Sequence, residues 1–435
     1  MMSERNICIS RGYLGKAGLY LLFAILPSLL LAAEWTAKPT LSVFQSYNDN
    51  IRLTTLVHPN VTTTTVKPTI DLGWATERAN VDLYGEWKHN QYAGDPNLEN
   101  RTDRKYDLKS GYKTERSQFS LNAGYVKDTT LSQDGFIEDI GATLAQLNRK
   151  TKSVTPSWSW NVTERTNLRL DLRYQDVAYE KSLISPYNDY LYDSAGLTYS
   201  FQWTRRDQVY VVLNQSRYDS KKRSFIPDNE MVVSSRFLGS DSNTFMYQFG
   251  INHQVNSTFK IGAGYGSRDS NSQTQYQQCT GFGIINGNLI CINSIEIKSD
   301  SKSKAPVYSL SADKDFELTK LGAKLSRTVT GSGLGSEMEV DSFDVNFDRR
   351  LTEKWRLKFS FLANQRVAVN PDFSRNDRKF LRGDVSLGWK LDRNWNLYAS
   401  YRYTRQKYET TDAVANANNV SLNIKYSWDR ISKSW

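Results

Sequence analysis

Apolar and polar residues alternate one by one over long stretches of the chain. Ser421 to Trp428, for example, reads SLNIKYSW, with an apolar side chain at every second position. Because successive side chains of a β-strand point to opposite faces, this period places all the apolar side chains on one face. Other clear examples cover 70–74, 119–125, 195–203 and 385–389. Between Leu41 and about Arg430 the pattern predicts eighteen strands, and sixteen is the alternative count.

The predicted connections between these strands are of two kinds, which alternate along the chain. Nine are mostly longer and rich in Gly, Ser, Asn, Asp or Pro, and the longest of them cover about 220–241 and 269–302. An even number of strands with alternating short and long connections is the plan of an outer-membrane barrel, with periplasmic turns and outward loops. The eight tight connections are 76–79, 115–117, 162–166, 205–206, 254–257, 317–318, 352–354 and 392–394.

One short turn sequence recurs at these tight connections. TER occurs at Thr76–Arg78, Thr114–Arg116 and Thr163–Arg165, and the similar TEK occurs at Thr352–Lys354. All the copies fall on the short-turn side, which indicates one hairpin design used repeatedly at the periplasmic rim. Phe119, just beyond one of them, is expected at the lipid interface, as are Trp355 and Trp395 beyond two other tight turns.

The pattern predicts an all-β fold, namely a transmembrane antiparallel up-and-down β-barrel of about 18 strands that occupies residues 34–435. A secreted β-sandwich would also alternate, with one face in water and the other against a second sheet. Long strands with aromatic residues at their ends favour the barrel, because they fit an apolar band of roughly 25 Å between aromatic girdles. Such a chain must close on itself, since an open edge would leave unpaired backbone groups in lipid.

The first 33 residues have the features of a secretory signal peptide. Arg5, Arg11 and Lys16 precede an apolar run, and small residues end at Ala33. The run is shorter than the ~20 apolar residues of a membrane-spanning helix, so an anchor is the weaker alternative. Strand one is expected about seven residues after the cleavage site, which leaves no N-terminal plug domain.

Composition narrows the class further. Aromatic residues make up 12% of the chain, which argues against disorder. The net charge is +10, and its Lys and Arg are interleaved with acids rather than gathered in a patch, which argues against a nucleic-acid partner. We expect the outer membrane of a Gram-negative bacterium, with outer-membrane lipid, lipopolysaccharide and the barrel-assembly machinery as partners, and periplasmic export proteins as further candidates. The oligomeric state stays open.

Charged residues in phase with the inner face are candidates to line a pore. Basic residues outnumber acidic ones in these positions, which favours a mild anion preference. The alternative is that most of these charged residues pair across strands and only keep the inner wall of the barrel hydrated. A barrel of this size leaves an aqueous channel unless a loop fills it, and 269–302 is the best candidate for such a loop by its length. The candidate pore-lining residues are Lys105, Lys109, Arg169, Asp171, Arg173, Arg356, Lys358, Arg382, Asp384 and Arg402.

No motif points to catalysis, a metal or a cofactor. The three histidines are widely spaced, whereas a metal site needs several convergent ligands. We therefore expect no enzyme. Cys279 and Cys291 share one predicted outward loop, and in an oxidising compartment such a pair favours a disulfide, with two free thiols as the alternative. Alternation is clean up to Trp428 and fails at Asp429, so either a short tail or a bulge follows the last strand.

Three early segments carry a resemblance to a known family. SYNDNIRL (46–53), VKPTIDLGW (66–74) and NVDLYGEWKHNQY (80–92) resemble the opening strands of the outer-membrane β-barrel porin family associated with exopolysaccharide and exosortase (PEP-CTERM) systems. The resemblance implies an outer-membrane barrel and carries over no functional residues. It is compatible with two roles: a porin for passive passage of small hydrophilic solutes, and a conduit or anchor for polysaccharide or protein export. An outer-membrane enzyme is the third and weakest alternative.

Overall fold

A computed structural model describes residues 33–131, 146–180, 187–221, 235–285, 288–370, 377–409 and 411–434. The predicted signal peptide lies outside the described residues except for Ala33, and so does Trp435. The described residues contain no helix that is long and apolar enough to cross a membrane.

The described chain forms one antiparallel sheet that closes into a barrel, because each strand pairs with the next and β18 pairs with β1. The predicted fold class is confirmed, with eighteen wall strands and a short β19 that also pairs with β1. The first strand begins at Glu34, directly after the predicted cleavage site rather than about seven residues later. The strands are β1 Glu34–Asn48, β2 Val61–Ala75, β3 Ala79–Ala93, β4 Arg101–Lys113, β5 Ser117–Thr129, β6 Asn148–Asn161, β7 Thr166–Tyr179, β8 Asp189–Gln202, β9 Asp207–Lys221, β10 Ser235–Asn256, β11 Phe259–Ile285, β12 Asn288–Asp315, β13 Thr319–Thr330, β14 Met338–Arg350, β15 Trp355–Ala368, β16 Arg378–Lys390, β17 Trp395–Tyr408, β18 Val414–Ser427 and β19 Ile431–Ser434.

The threonine of the recurring Thr-Glu-Arg turn stabilises the turn by hydrogen bonding to the backbone. The hydroxyl of Thr76 accepts the backbone N–H of Ala79 at 3.0 Å, and the hydroxyl of Thr114 accepts that of Ser117 at 2.9 Å. Thr352 accepts the N–H of Trp355 in the same way, at 3.0 Å. A short hydroxyl side chain that bonds its own backbone stabilises a tight turn. These turns join the strands at one rim, which is the periplasmic rim of an outer-membrane barrel.

Aromatic side chains form a girdle just inside that rim, and apolar side chains cover the outer wall above it. Trp355 stacks on Trp389 with ring centroids 5.2 Å apart, and Phe119 stacks on Trp158 at 6.3 Å. Large hydrophobic residues such as Leu172 on the strands above are exposed on the outer face. A closed wall with an exposed apolar band above an aromatic girdle is suited to lipid.

The last strand continues after a bulge. Ser427 pairs with Thr40, and Ile431 pairs with Ala37, so four steps on one strand match three on the other. The extra residue shifts the alternation by one position. The structure therefore selects the bulge over the short tail.

The β11–β12 hairpin is the longest in the barrel, and its register continues from the periplasmic end to the pair Ile285 and Asn288. A disulfide joins Cys279 to Cys291 near its tip. The segment 269–302, the best candidate by length for a loop that fills the lumen, instead extends as paired strands. Their backbone groups are satisfied within the hairpin, which leaves no reason for the segment to turn inward.

Candidate functional site: the barrel lumen

The extracellular half of the lumen contains the buried core of the molecule. Its largest part is a cluster rich in tyrosine, on β7, β8, β9 and the ends of the neighbouring loops, that we call the tyrosine wall. Leu334, from the β13–β14 loop, packs against it. In a water-soluble protein such a cluster would lie between secondary-structure layers. Here it lines the inside of a barrel, and a loop packs against it. The tyrosine wall consists of Tyr179, Tyr187, Tyr190, Tyr192 and Tyr218, together with Leu147 and Val177.

The β13–β14 loop, residues 331–337, crosses the lumen to reach this wall. The hydroxyl of Tyr218 donates to the carbonyl of Ser332 at 2.5 Å, and the N–H of Asn188 donates to the carbonyl of Gly333 at 2.7 Å. A Cβ on Gly333 would lie 2.5 Å from the hydroxyl oxygen of Tyr179. This position therefore requires glycine because of the close approach.

Glu337 fixes the other end of the loop. Its carboxylate accepts hydrogen bonds from the hydroxyls of Ser242 at 2.7 Å and Thr244 at 2.8 Å, both on β10. The side chain is almost completely buried, and this burial raises the pKa of the carboxyl above its ordinary value. Arg268 on β11 faces it and opposes part of that rise. The loop is thus held by an ionisable group as well as by the tyrosine wall.

Two further loops enter the same half of the barrel. Leu53, on the β1–β2 loop, packs against Phe380 and Ala417 on the inner face of β16 and β18. On the β15–β16 connection, Asn370 donates to the hydroxyl of Thr274 at 2.9 Å. Inward-folded loops narrow a barrel that would otherwise leave a wide aqueous channel.

Below the loops, an arginine pair shares one acid on the β16–β17 wall. The Nε of Arg382 lies 3.1 Å from the Oδ2 of Asp384, and the Nε of Arg402 contacts the Oδ1 of the same carboxylate. Both cations therefore share this carboxylate, and Arg382 also interacts with the more distant Asp344. Higher on the same wall, Arg366 and Arg378 are directly opposite each other across β15 and β16, and both are buried.

A small cavity, which we call the narrow level, lies where this wall approaches β3 and β4. This cavity of about 110 Å³ is lined from one side by Lys88 and Arg101, and from the other by Asp384 and Arg402. Arg101 has an ion-pair partner in Asp103 at 3.0 Å. Basic residues are therefore in excess at this narrow level. The periplasmic cavity below has a volume of about 1000 Å³ and a nearly balanced lining, with five basic and four acidic side chains.

The ten predicted pore-lining residues are not all in one place. Lys358, Arg382, Asp384 and Arg402 line the same periplasmic cavity. Lys109 lines a second cavity, on the opposite wall. The other five are on β4, β7 and β15, in phase with the inner face. Lys105 lies 3.1 Å from Asp107, Arg169 2.8 Å from Asp171 and Arg356 2.6 Å from Asp348, while Arg173 lies over the ring of Tyr192 at 5.5 Å.

Sequence reasoning missed several cations on the inner face of the wall. Arg366 and Arg378 are in the same alternation phase as Lys358 and Arg382, so the period-two pattern could have identified them. Arg101 begins β4 in phase with Lys105 and could have been found in the same way. No such signal exists for the docking of 331–337, because it depends on contacts between distant strands.

A closed wall with a lipid-facing apolar band and a polar, partly water-filled lumen is the architecture of an outer-membrane channel in a Gram-negative bacterium. Within the described residues, no group of three or more His, Cys, Asp or Glu side chains is placed to hold a metal ion.

Comparisons with known proteins find similarity of fold alone. No protein-family description matches the sequence, and no curated protein sequence is similar to it. Among solved structures, the copper transporter OprC is 11% identical to this chain, with a TM-score of 0.45. The match covers 87% of this chain, which spans 64% of the length of OprC. The ferric-catecholate import receptor Fiu of E. coli K12 is 8% identical with a TM-score of 0.47, over 90% of this chain and 81% of Fiu. OccAB3 of Acinetobacter baumannii is 12% identical with a TM-score of 0.42, over 91% of this chain and 99% of OccAB3.

Proposed function

We propose that the protein is a passive channel for small hydrophilic solutes that prefers anions. The observation that carries this proposal is the narrow level of the lumen, where Lys88, Arg101 and Arg402 line one small cavity and outnumber the two acids there, Asp384 and Asp103. The charge of the residues that line a pore sets the sign of its electrostatic barrier. A constriction has more influence than a wide vestibule, because an ion passes close to its walls.

The mechanism needs only diffusion and weak binding. An anion that passes between the narrow level and the periplasmic cavity exchanges part of its water for the guanidinium groups of Arg402 and Arg382, which Asp384 holds in place. The same carboxylate keeps these cations from binding the anion too tightly, and conduction requires that a solute can leave as well as enter. No catalytic step is proposed.

Reversal potentials in planar bilayers test the proposal. With a KCl gradient across the purified, refolded protein, we expect the sign that indicates chloride preference. In liposome swelling, a small sugar acid should enter faster than a neutral sugar of the same size. A reversal potential that indicates cation preference would end the anion proposal, and the lack of any conductance would end the channel proposal.

A second candidate is an outer-membrane anchor or conduit in exopolysaccharide or protein export, the role implied by the family resemblance. The observation that favours it is the filling of the extracellular half by docked loops, since Leu53 and Leu334 both pack inside the barrel. A closed barrel of this kind can hold surface polymer or periplasmic partners without passing solutes. A deletion strain that loses surface polysaccharide while keeping its solute permeability would favour export over the porin.

A further inference from the structure

Three cations stand side by side on the outer wall of the barrel. Arg104 on β4 is directly opposite Lys127 on β5, and Lys127 is directly opposite Lys150 on β6. Lys152 lies two positions further along β6 on the same face. All four are in phase with lipid-facing Leu108 or Val154 rather than with the lumen. We call these four residues the basic row.

The basic row is energetically unusual, because like charges directly opposite each other destabilise a sheet. Among the described residues, no acid forms an ion pair with any of its members. Other outer-face cations near the extracellular rim do have such partners. Arg217 pairs with Asp241 at 2.8 Å, Lys379 with Glu409 at 3.0 Å, Lys304 with Asp269 at 3.1 Å and Lys407 with Asp412 at 2.5 Å. Within the described strands, Arg104, Lys127 and Lys150 therefore have no acid directly opposite them, whereas Lys152 is directly opposite Asp176 on β7 without an ion-pair contact.

The row lies at the upper edge of the apolar band. Beside and below it, Trp87 contacts Tyr106 edge-to-face at 5.7 Å, and Tyr106 stacks on Tyr125 at 6.2 Å. Still lower on the same strands the outer face carries Leu83, Leu108, Ala123 and Val154. Aromatic girdles of membrane barrels mark the level of the lipid headgroups. The cations are consequently placed where a lipid's phosphate groups lie and the apolar residues where its acyl chains lie.

The neighbouring sector of the rim carries mainly the opposite charge. Continuing around the barrel from β6, the outer face of β7 to β10 carries the acids Asp176, Asp193, Asp219 and Asp241, together with Arg217, which pairs with Asp241. A general excess of basic residues on the whole molecule would not produce such a boundary. A ligand with several negative charges and long apolar chains is complementary to the sector of β4 to β6 and not to the sector of β7 to β10.

We propose that the basic row binds the phosphate groups of a phosphorylated glycolipid in the outer leaflet, with its acyl chains along Tyr106 and Tyr125. The planar guanidinium of Arg104 can form two parallel hydrogen bonds to one phosphate, and the lysines act as point charges. Binding relieves the repulsion within the row, so the same contacts that hold the lipid also stabilise three adjacent strands.

The experiment measures lipid binding by the purified, folded barrel. The row variant is R104Q/K127Q/K150Q/K152Q, and the matched control is R217Q/K304Q/K379Q/K407Q, which removes one Arg and three Lys that have acidic partners. Native mass spectrometry and titration with lipopolysaccharide, with the same glycolipid after removal of its phosphates, and with phosphatidylglycerol give the affinities. The double variant K127Q/K150Q serves where the quadruple variant folds poorly, as judged by its heat-modifiable migration in electrophoresis.

The wild type and the control should retain the phosphorylated glycolipid, and the row variant should bind it at least roughly tenfold more weakly. Removal of the phosphates should weaken binding to the wild type by a similar factor. Equal binding by the row variant and the wild type would overturn the proposal, as would equal binding of the dephosphorylated lipid. Phosphatidylglycerol that binds as tightly as the glycolipid would overturn the assignment to a glycolipid. Single-channel conductance of the row variant should equal that of the wild type, which separates this test from that of the channel.

Discussion

The phenolic hydroxyl of Tyr218 donates a hydrogen bond of 2.5 Å to the backbone carbonyl of Ser332, a residue 114 positions away in the sequence. Tyr218 is on the wall strand β9, and Ser332 is on the loop that crosses from β13. The bond therefore ties a loop inside the barrel to a wall strand that is four strands away in barrel order. It makes the position of the loop, and with it the width of the path, depend on one side chain.

Tyr218→Phe should loosen the loop without disturbing the wall. Loss of one buried hydrogen bond costs about 1 kcal/mol, so the ratio of released to docked loop should rise by roughly fivefold. Single-channel recordings should show more frequent or larger openings. Tyr199→Phe, which removes a hydroxyl from a tyrosine exposed on the outer face, is the matched control and should leave the conductance unchanged. Identical recordings from Tyr218→Phe and the wild type would mean that the loop does not limit the current.

Acidic pH should hold the same loop more firmly. Burial raises the pKa of Glu337 in the docked loop, so the docked form binds a proton more tightly than the released form does. Docking is then strongest below the ordinary pKa of a glutamate, about 4.3, and it weakens as the pH rises through the raised value. Arg268 and Tyr192 face the carboxylate from the wall, and Glu339 lies against Arg268 at 2.7 Å.

We expect a lower conductance at acidic pH than at neutral pH. Glu337→Gln removes the titrating group and should flatten this dependence, whereas Glu99→Gln, at an exposed loop residue, should keep it. Bilayer recordings across that pH range provide the measurement. A current that rises on acidification in the wild type would contradict the sign of the argument.

The alternation of side chains predicted the strands, the order of short and long connections and the recurring threonine turn, because each depends on neighbouring residues. It did not predict which loop enters the lumen. Length favoured 269–302, yet the shorter segment 331–337 docks, because its glycines allow close approach to tyrosines on distant strands. The basic row was likewise hidden, since Arg104 and Lys127 become neighbours only through strand register. The alternation of side chains shows which face of the sheet a residue is on, whereas the strand register determines which residues of other strands lie beside it.

Substitutions in the arginine pair should move ion selectivity in opposite directions. Asp384→Asn leaves Arg382 and Arg402 without their shared counter-charge and should increase the preference for chloride, whereas Arg402→Gln should decrease it. Reversal potentials in a KCl gradient measure both. Arg393→Gln, which removes an exposed charge at the periplasmic rim, is the control and should have little effect. Shifts of the same sign in Asp384→Asn and Arg402→Gln would place the selectivity elsewhere in the lumen.

The last prediction concerns the closure of the barrel at its C-terminal strand. Trp428 packs edge-on against Tyr426 at 4.8 Å, Tyr426 packs against Trp395 at 4.8 Å, and the N–H of Trp428 donates to the carbonyl of Pro39 at 3.2 Å. Trp428 thus connects the aromatic girdle to the first strand, directly before the bulge. Trp428→Ala should lower the fraction of folded, heat-modifiable protein in the outer-membrane fraction more than deletion of Trp435 does. The reverse order would show that the residues after the bulge, rather than the girdle before it, direct assembly.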